Sequence, residues 1–194
     1  MFSAICKRIA YFCVKKDLIR AVDTDWFIYA IQKRLFSISV LTLFFLFCIV
    51  AHRFIIGVAF LGGFKLLRNC MNGYHASSPL RCALLSLAIF IFGIYSLCPI
   101  AIRFPLISSI LSWFYVIYIF NVSPTKSEKA PLSDFALFAN HKRGKQRIIV
   151  LAALVTILST VFPVFAAGLF SGMTAACISL QAAYIKRRIQ YDRS

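Results

Sequence analysis

Apolar residues run through this chain in blocks, and its polar residues collect between them. Six apolar blocks lie at roughly 35–51, 54–67, 83–102, 104–122, 148–167 and 169–185. Wound as helix at about 1.5 Å per residue, blocks near 20 residues cover the ~30 Å hydrocarbon core of a bilayer. The pattern predicts an all-α, polytopic transmembrane helical protein with about six membrane segments. Ala51-His52-Arg53, Arg103-Phe104-Pro105 and Gly168 form tight connections, whereas the N-terminal region, 65–82, 123–147 and 186–194 are polar. The second block is short enough to be read as re-entrant instead of spanning.

Residues 1–20 read as a basic amphipathic helix lying in the membrane interface. At about 100° per residue Phe2, Ile5, Ile9, Phe12 and Cys13 share one face, with Lys7, Arg8 and Lys15 opposite; Lys16 interrupts the pattern. This stretch has no continuous apolar core and no small-residue cleavage site, so it does not read as a cleavable signal peptide. Asp23-Thr24-Asp25 offers a helix start ahead of Trp26, Phe27 and Tyr29, aromatics suited to the membrane–water boundary.

Charge favours six crossings. With the N-terminus inside and six crossings, the cytoplasmic segments hold seven, three, six and four Lys/Arg, twenty of the twenty-two, leaving Arg53 and Arg103 outside. If the second block did not cross, the basic 65–82 and 186–194 segments would be exported, against the positive-inside rule. The expectation is a multi-pass cell-membrane protein with both termini cytoplasmic, facing anionic headgroups. The net charge of +16 is accounted for by this placement, and no nucleic-acid motif accompanies it.

Composition agrees: 61% of the 194 residues are hydrophobic, and mean hydropathy is +0.83. No interdomain linker is evident, so 1–194 reads as a single integral-membrane domain. Its parts are a basic amphipathic region at 1–34, a chemistry-bearing loop at 65–82 and a basic cytoplasmic loop at 123–147. Seven cysteines without a CxxC pair suggest neither a disulfide framework nor a zinc site, and no metal or cofactor is expected. Cys48, Cys82, Cys98 and Cys177 lie in or beside apolar blocks, where small apolar packing is the ordinary role.

The 65–82 segment carries the candidate chemistry. It joins a guanidinium (Arg68), turn-forming residues (Asn72, Gly73), a base (His75) and a thiol (Cys82). Ser77 or Ser78 can cap a helix whose first position suits Pro79, which puts Cys82 in the first turn, where the helix N-terminus favours thiolate. Seven residues apart on one straight helix, His75 and Cys82 would be separated by about 10 Å along the axis. The break at Ser77-Ser78-Pro79 lets the chain fold His75 back over the helix end. By residue type alone, a His and a Cys in such a loop are more often bystanders than catalysts.

Arg68, Asn72-Gly73-Tyr74-His75-Ala76 and Cys82 together resemble the AgrB family of membrane cysteine endopeptidases, which process pro-peptides of quorum-sensing pheromones in Gram-positive bacteria. The family pattern has an Arg seven residues before the catalytic His, a Gly-Gly-x-His-Ala core and the catalytic Cys seven residues after that His; all three spacings hold here. Asn72 departs from the usual Gly-Gly, though Asn also adopts the left-handed conformation readily. Ser123-Pro124-Thr125, Lys129-Ala130-Pro131-Leu132 and the following Lys/Arg cluster resemble the family's cytoplasmic loop.

The resemblance implies Cys82 as nucleophile and His75 as general base in cleavage of a short membrane-bound precursor near its C-terminal end. The resulting thioester would pass its acyl group to a Cys or Ser within the precursor, closing a thiolactone or lactone ring. Arg68 would hold a substrate carboxylate or the oxyanion, and reads equally well as a positive-inside anchor. The implied partner joins an amphipathic helix to an acidic tail, which Lys142, Arg143, Lys145 and Arg147 would suit electrostatically. A stop-transfer cluster is the alternative role for those four. Gly168-x-x-x-Gly172 would allow a homodimer, but beside a hairpin turn it reads first as turn plus small-residue packing. The competing function is a non-enzymatic small transporter or exporter component. The absence of any acidic residue from the six blocks counts against proton-coupled transport.

Overall fold

The computed structural model describes residues 2–16, 18–20, 23–71, 79–122 and 134–191, and no strand occurs among them. The chain divides into two compact units, residues 1–47 and 48–194.

The first unit holds α1 (Phe2–Lys15) and most of α2 (Thr24–Val50). Helix α2 starts where Asp23-Thr24-Asp25 predicts, and Arg20 Nε donates to Asp23 Oδ2 at 2.9 Å just ahead of it. Helix α1 is amphipathic, with Lys7, Arg8 and Lys15 exposed. Its buried side runs through Cys6 and Ala10, however, while Ile9 and Phe12 are open. The stripe drawn through Ile9 and Phe12 is therefore the uncovered side, the one an interfacial helix turns toward acyl chains.

The second unit is a bundle of α3 (Phe54–Met71), α4 (Pro79–Phe92), a π-helical turn (Gly93–Leu97), α5 (Cys98–Arg103), α6 (Pro105–Asn121), α7 (Asp134–Val161) and α8 (Pro163–Tyr191). Among the described residues, five helices have the length and apolarity to cross a membrane; α6, with 17 residues, is shorter. The apolar block read as short becomes an 18-residue helix, because α3 continues through Lys65 and Arg68 to Met71. It is then about 27 Å long, close to the ~30 Å hydrocarbon core.

Each break has a local cause. Between α2 and α3, His52 takes a positive φ of 53° and Arg53 N donates to Cys48 O at 2.9 Å, a left-handed helix cap. Pro105 starts α6 after Phe104 leaves helical geometry. Pro99 lies inside the long helix from Pro79 to Arg103, where its ring would clash with the carbonyl of residue 95. The preceding turn widens to accommodate it, so that Cys98 N donates to Gly93 O.

Two expectations are corrected. The last hairpin turns at Phe162, not Gly168: Pro163 offers no N–H to α7 and disfavours helix at the residue before it, so α7 ends at Val161. The supposed 123–147 loop is helical from Asp134 onward. The buried positions Leu137, Gly144, Ile148, Leu151, Ala152 and Val155 recur at helical spacing and carry α7 through the basic cluster.

Helix α8 is central. It packs against α3, α5, α6, α7 and the π turn, and most extensively against α3. Gly168 and Gly172 lie within it, and the close approach needs them to be glycine. A Cβ on Gly168 would stand 2.7 Å from Ile56 O, and one on Gly172 would overlap Phe60 O and lie 2.8 Å from Phe64 N. Gly63 returns the contact, since its Cβ would stand 2.7 Å from Leu169 O. The small-residue motif thus joins two helices of the same chain.

The outer surface is apolar and the polar residues turn inward. Leu106, Ile107, Ile110, Phe114 and Ile117 of α6 are exposed, whereas Ser108, Ser109 and Ser112 are buried. Ser108 and Ser109 both return their hydroxyls to Pro105 O at 2.9 Å. Such an arrangement suits lipid as the surrounding solvent. With the apolar helices, it describes a multi-pass membrane protein.

Candidate active site at the basic end of the bundle

Contacts within the second unit bring the C-terminal ends of α3, α6 and α8 together with the N-terminal ends of α4 and α7. Arg147 Nη1 donates to Leu66 O at 3.0 Å, Lys145 Nζ lies 5.0 Å from the Phe120 ring centroid, and Tyr118 OH donates to Gln181 Oε1. Lys65, Arg68, Arg81 and the 142–147 cluster therefore share one end. Arg53 and Arg103 flank the opposite ends of α3 and α5. Within this unit the helices alternate in direction, α3, α6 and α8 running toward the basic end and α4 and α7 away from it.

Arg68 sits on the last turn of α3. Its guanidinium packs 5.2 Å from the Phe64 ring centroid, and Nη1 donates to Ser86 Oγ of α4 at 3.3 Å. It also lines a small cleft with Leu67 and Met71 of α3, Ile119 of α6, and Ala176 and Leu180 of α8. Four of the five neighbours come from α3 and α8, the pair that the glycines hold close.

Helix α4 begins at Pro79, as its position after Ser77-Ser78 predicts, so position 82 falls in the first turn. Positions 82 and 86 are four apart and share a face of α4. The Arg68–Ser86 bond thus joins α3 to the face of α4 that carries position 82. His75, Asn72 and Gly73 lie outside the described residues, as does the side chain of Cys82. Ser86 was not singled out from sequence, although its spacing from Cys82 is a usable signal.

The four basic residues assigned to the acidic tail are not equivalent. Lys142 and Arg143 are exposed. Lys145 covers Phe120, and Arg147 is bonded to α3. Gly144 between them is buried against the same helix end, where a Cβ would stand 2.6 Å from Met71 Cε and 3.4 Å from Cys70 Cβ. Other cysteines fill space: Cys6, Cys48, Cys70, Cys98 and Cys177 are buried and unpaired by disulfide. Cys98 Sγ lies 3.1 Å from Ser171 Oγ.

The profile of the family described as Accessory gene regulator B matches residues 6–184, nearly the whole chain. The chain belongs to the accessory gene regulator B family. Proteins named Accessory gene regulator protein B from Staphylococcus aureus strains bovine RF122 / ET3-1 and JH9 are each 30% identical to it over 146 residues. That alignment covers 75% of this chain and 71% of each relative. No solved structure matches the chain. Membership ties this AgrB-family protein to the accessory gene regulator quorum-sensing pathway.

Proposed function

We propose that the chain is a membrane-embedded cysteine endopeptidase that matures a short signalling precursor, with Cys82 as nucleophile and His75 as general base. The observation that carries this reading is the Arg68–Ser86 bond. It joins the end of α3 to the face of α4 bearing position 82, so Arg68 and Cys82 of the motif belong to one end of the bundle.

In this mechanism His75 takes the Cys82 proton as sulfur attacks the scissile carbonyl, then delivers it to the departing amine. The acyl group remains on Cys82 as a thioester while the C-terminal fragment leaves. A Cys or Ser inside the precursor then attacks that carbonyl, His75 shuttles its proton to the Cys82 sulfur, and a thiolactone or lactone ring closes. The thioester keeps most of its acyl-transfer potential, so ring closure needs no further activation. Arg68 holds the oxyanion or a substrate carboxylate. Exposed Lys142 and Arg143 attract the precursor's acidic tail. The site belongs on the cytoplasmic face, where thiols stay reduced.

Co-expression with the precursor tests the reading. Cys82→Ala and His75→Ala should each abolish cleavage while leaving insertion intact, and intact-mass analysis of wild type should trap a peptide–enzyme thioester. Wild-type cleavage by Cys82→Ala would refute it. A substrate flux that survives both substitutions would mark a transporter.

A further inference from the structure

Helix α3 packs against α8 along its length, Leu67 and Met71 still facing Ala176 and Leu180 near its end, and α7 adds a second hold at that end. The glycine clasp through Ile56, Phe60, Gly63 and Phe64 ends two turns short of the helix terminus. Beyond it, the turn carrying Leu66, Arg68, Cys70 and Met71 is gripped by α7. Gly144 is seated on Met71 and Cys70, and Arg147 Nη1 donates to Leu66 O at 3.0 Å.

We propose that Arg147 is a positioning residue that fixes the end of α3, and with it Arg68, instead of a ligand for the precursor's acidic tail. This inference rests on the endopeptidase reading of the same site. The bond to the Leu66 carbonyl ties the Arg147 side chain of α7 to the end of α3. Lys142 and Arg143 on the same helix turn have exposed side chains that suit an incoming acidic segment.

The lever is short but sufficient. Arg68 lies four residues past Phe64, roughly 6 Å along the axis, so a tilt of about 10° about Phe64 moves it by about 1 Å. The Arg68–Ser86 separation of 3.3 Å is already long, and such a shift opens it beyond hydrogen-bonding range. Misplacement by about 1 Å can cost ~100-fold in turnover.

Steady-state cleavage by the full-length protein in liposomes separates the roles. Arg147→Met should lower kcat by about 10- to 100-fold with KM within about twofold of wild type. Arg147→Lys, which retains one donor, should recover most of that loss. Lys142→Gln with Arg143→Gln should show the reverse signature, a raised KM. Gly144→Leu, which pushes the same helix end without changing charge, should reproduce the kcat loss.

Hydrogen exchange at amides 65–71 gives a readout independent of catalysis, and should speed up in Arg147→Met but not in the Lys142/Arg143 variant. An Arg147→Met protein that raises KM at unchanged kcat, or leaves both kinetics and exchange at wild-type values, would overturn the proposal. Loss of the endopeptidase reading is recognised separately, by cleavage in Cys82→Ala, and the exchange result would still decide the clamp.

Discussion

Gly62 and Gly63 are neighbours on α3 with opposite surroundings, and replacing each by alanine measures the helix clasp. A Cβ at Gly63 would stand 2.7 Å from Leu169 O, a backbone atom that no rotamer change can move. Reaching an ordinary contact of 3.4 Å requires α3 and α8 to separate by roughly 0.7 Å, and a gap of ~0.5–1 Å forfeits a quarter to a half of each van der Waals well it opens. Phe60, Leu67 and Met173, at 1%, 1% and 0% exposure, are fully buried and lie on these two helices. Their weakened packing should cost about 1–3 kcal/mol, the usual range for overpacking. At Gly62 a Cβ meets nothing within 4 Å. Both substitutions gain the same ~0.8–1 kcal/mol of helix propensity. That term cancels between them, so Gly63→Ala should be less stable than Gly62→Ala by about 1–3 kcal/mol, while Gly62→Ala equals or exceeds wild type. Reversible unfolding in mixed micelles, with the denaturing detergent titrated, gives both midpoints. Equal stability of the two variants, or a more stable Gly63→Ala, would refute a backbone-limited contact.

His52 carries positive φ without being glycine. His52→Gly should therefore raise the same unfolding midpoint by up to about 1 kcal/mol with no change in cleavage. Cys98 is wholly buried with its thiol 3.1 Å from Ser171 Oγ. Cys98→Val should cost about 1–2 kcal/mol in that assay by leaving the Ser171 hydroxyl without this partner, whereas Cys98→Ser should recover part of the loss.

Much of the fold was legible because hydropathy and proline act locally. The six apolar blocks became α2 through α8, and the breaks at His52 and Phe104 fell where polar or proline-containing triplets predict. The last hairpin was misplaced because glycine was read as a breaker inside one long apolar run. Pro163, five residues earlier, has the stronger backbone effect. What Gly168 does depends on a helix more than 100 residues away in sequence, and nothing local encodes that. The basic cluster reads as loop because its polarity outweighs its helical spacing, although Leu137, Gly144 and Ile148 carry the buried stripe. In the candidate site, Arg68 and the helix start at Pro79 were legible from spacing. Ser86, Gly144 and the Leu66 carbonyl were not, because each acquires its role only when a second helix arrives.

Under the positive-inside rule Lys142, Arg143, Lys145 and Arg147 count alike. Geometry then divides them. A charge that only needs to stay out of the hydrocarbon is satisfied by water and headgroups, and its side chain can remain mobile. One that seats on Phe120 or on the Leu66 carbonyl loses that freedom and transmits position instead. The same stretch of α7 therefore offers an exposed electrostatic surface and a rigid contact to α3 within six residues. Because α3 carries Arg68 two residues beyond Leu66, the rigid half bears on the geometry of the proposed site, and in the proposed mechanism the exposed half is left to meet the precursor's acidic tail. Arginine suits the first task through its fixed fork of donors, and either cation suits the second.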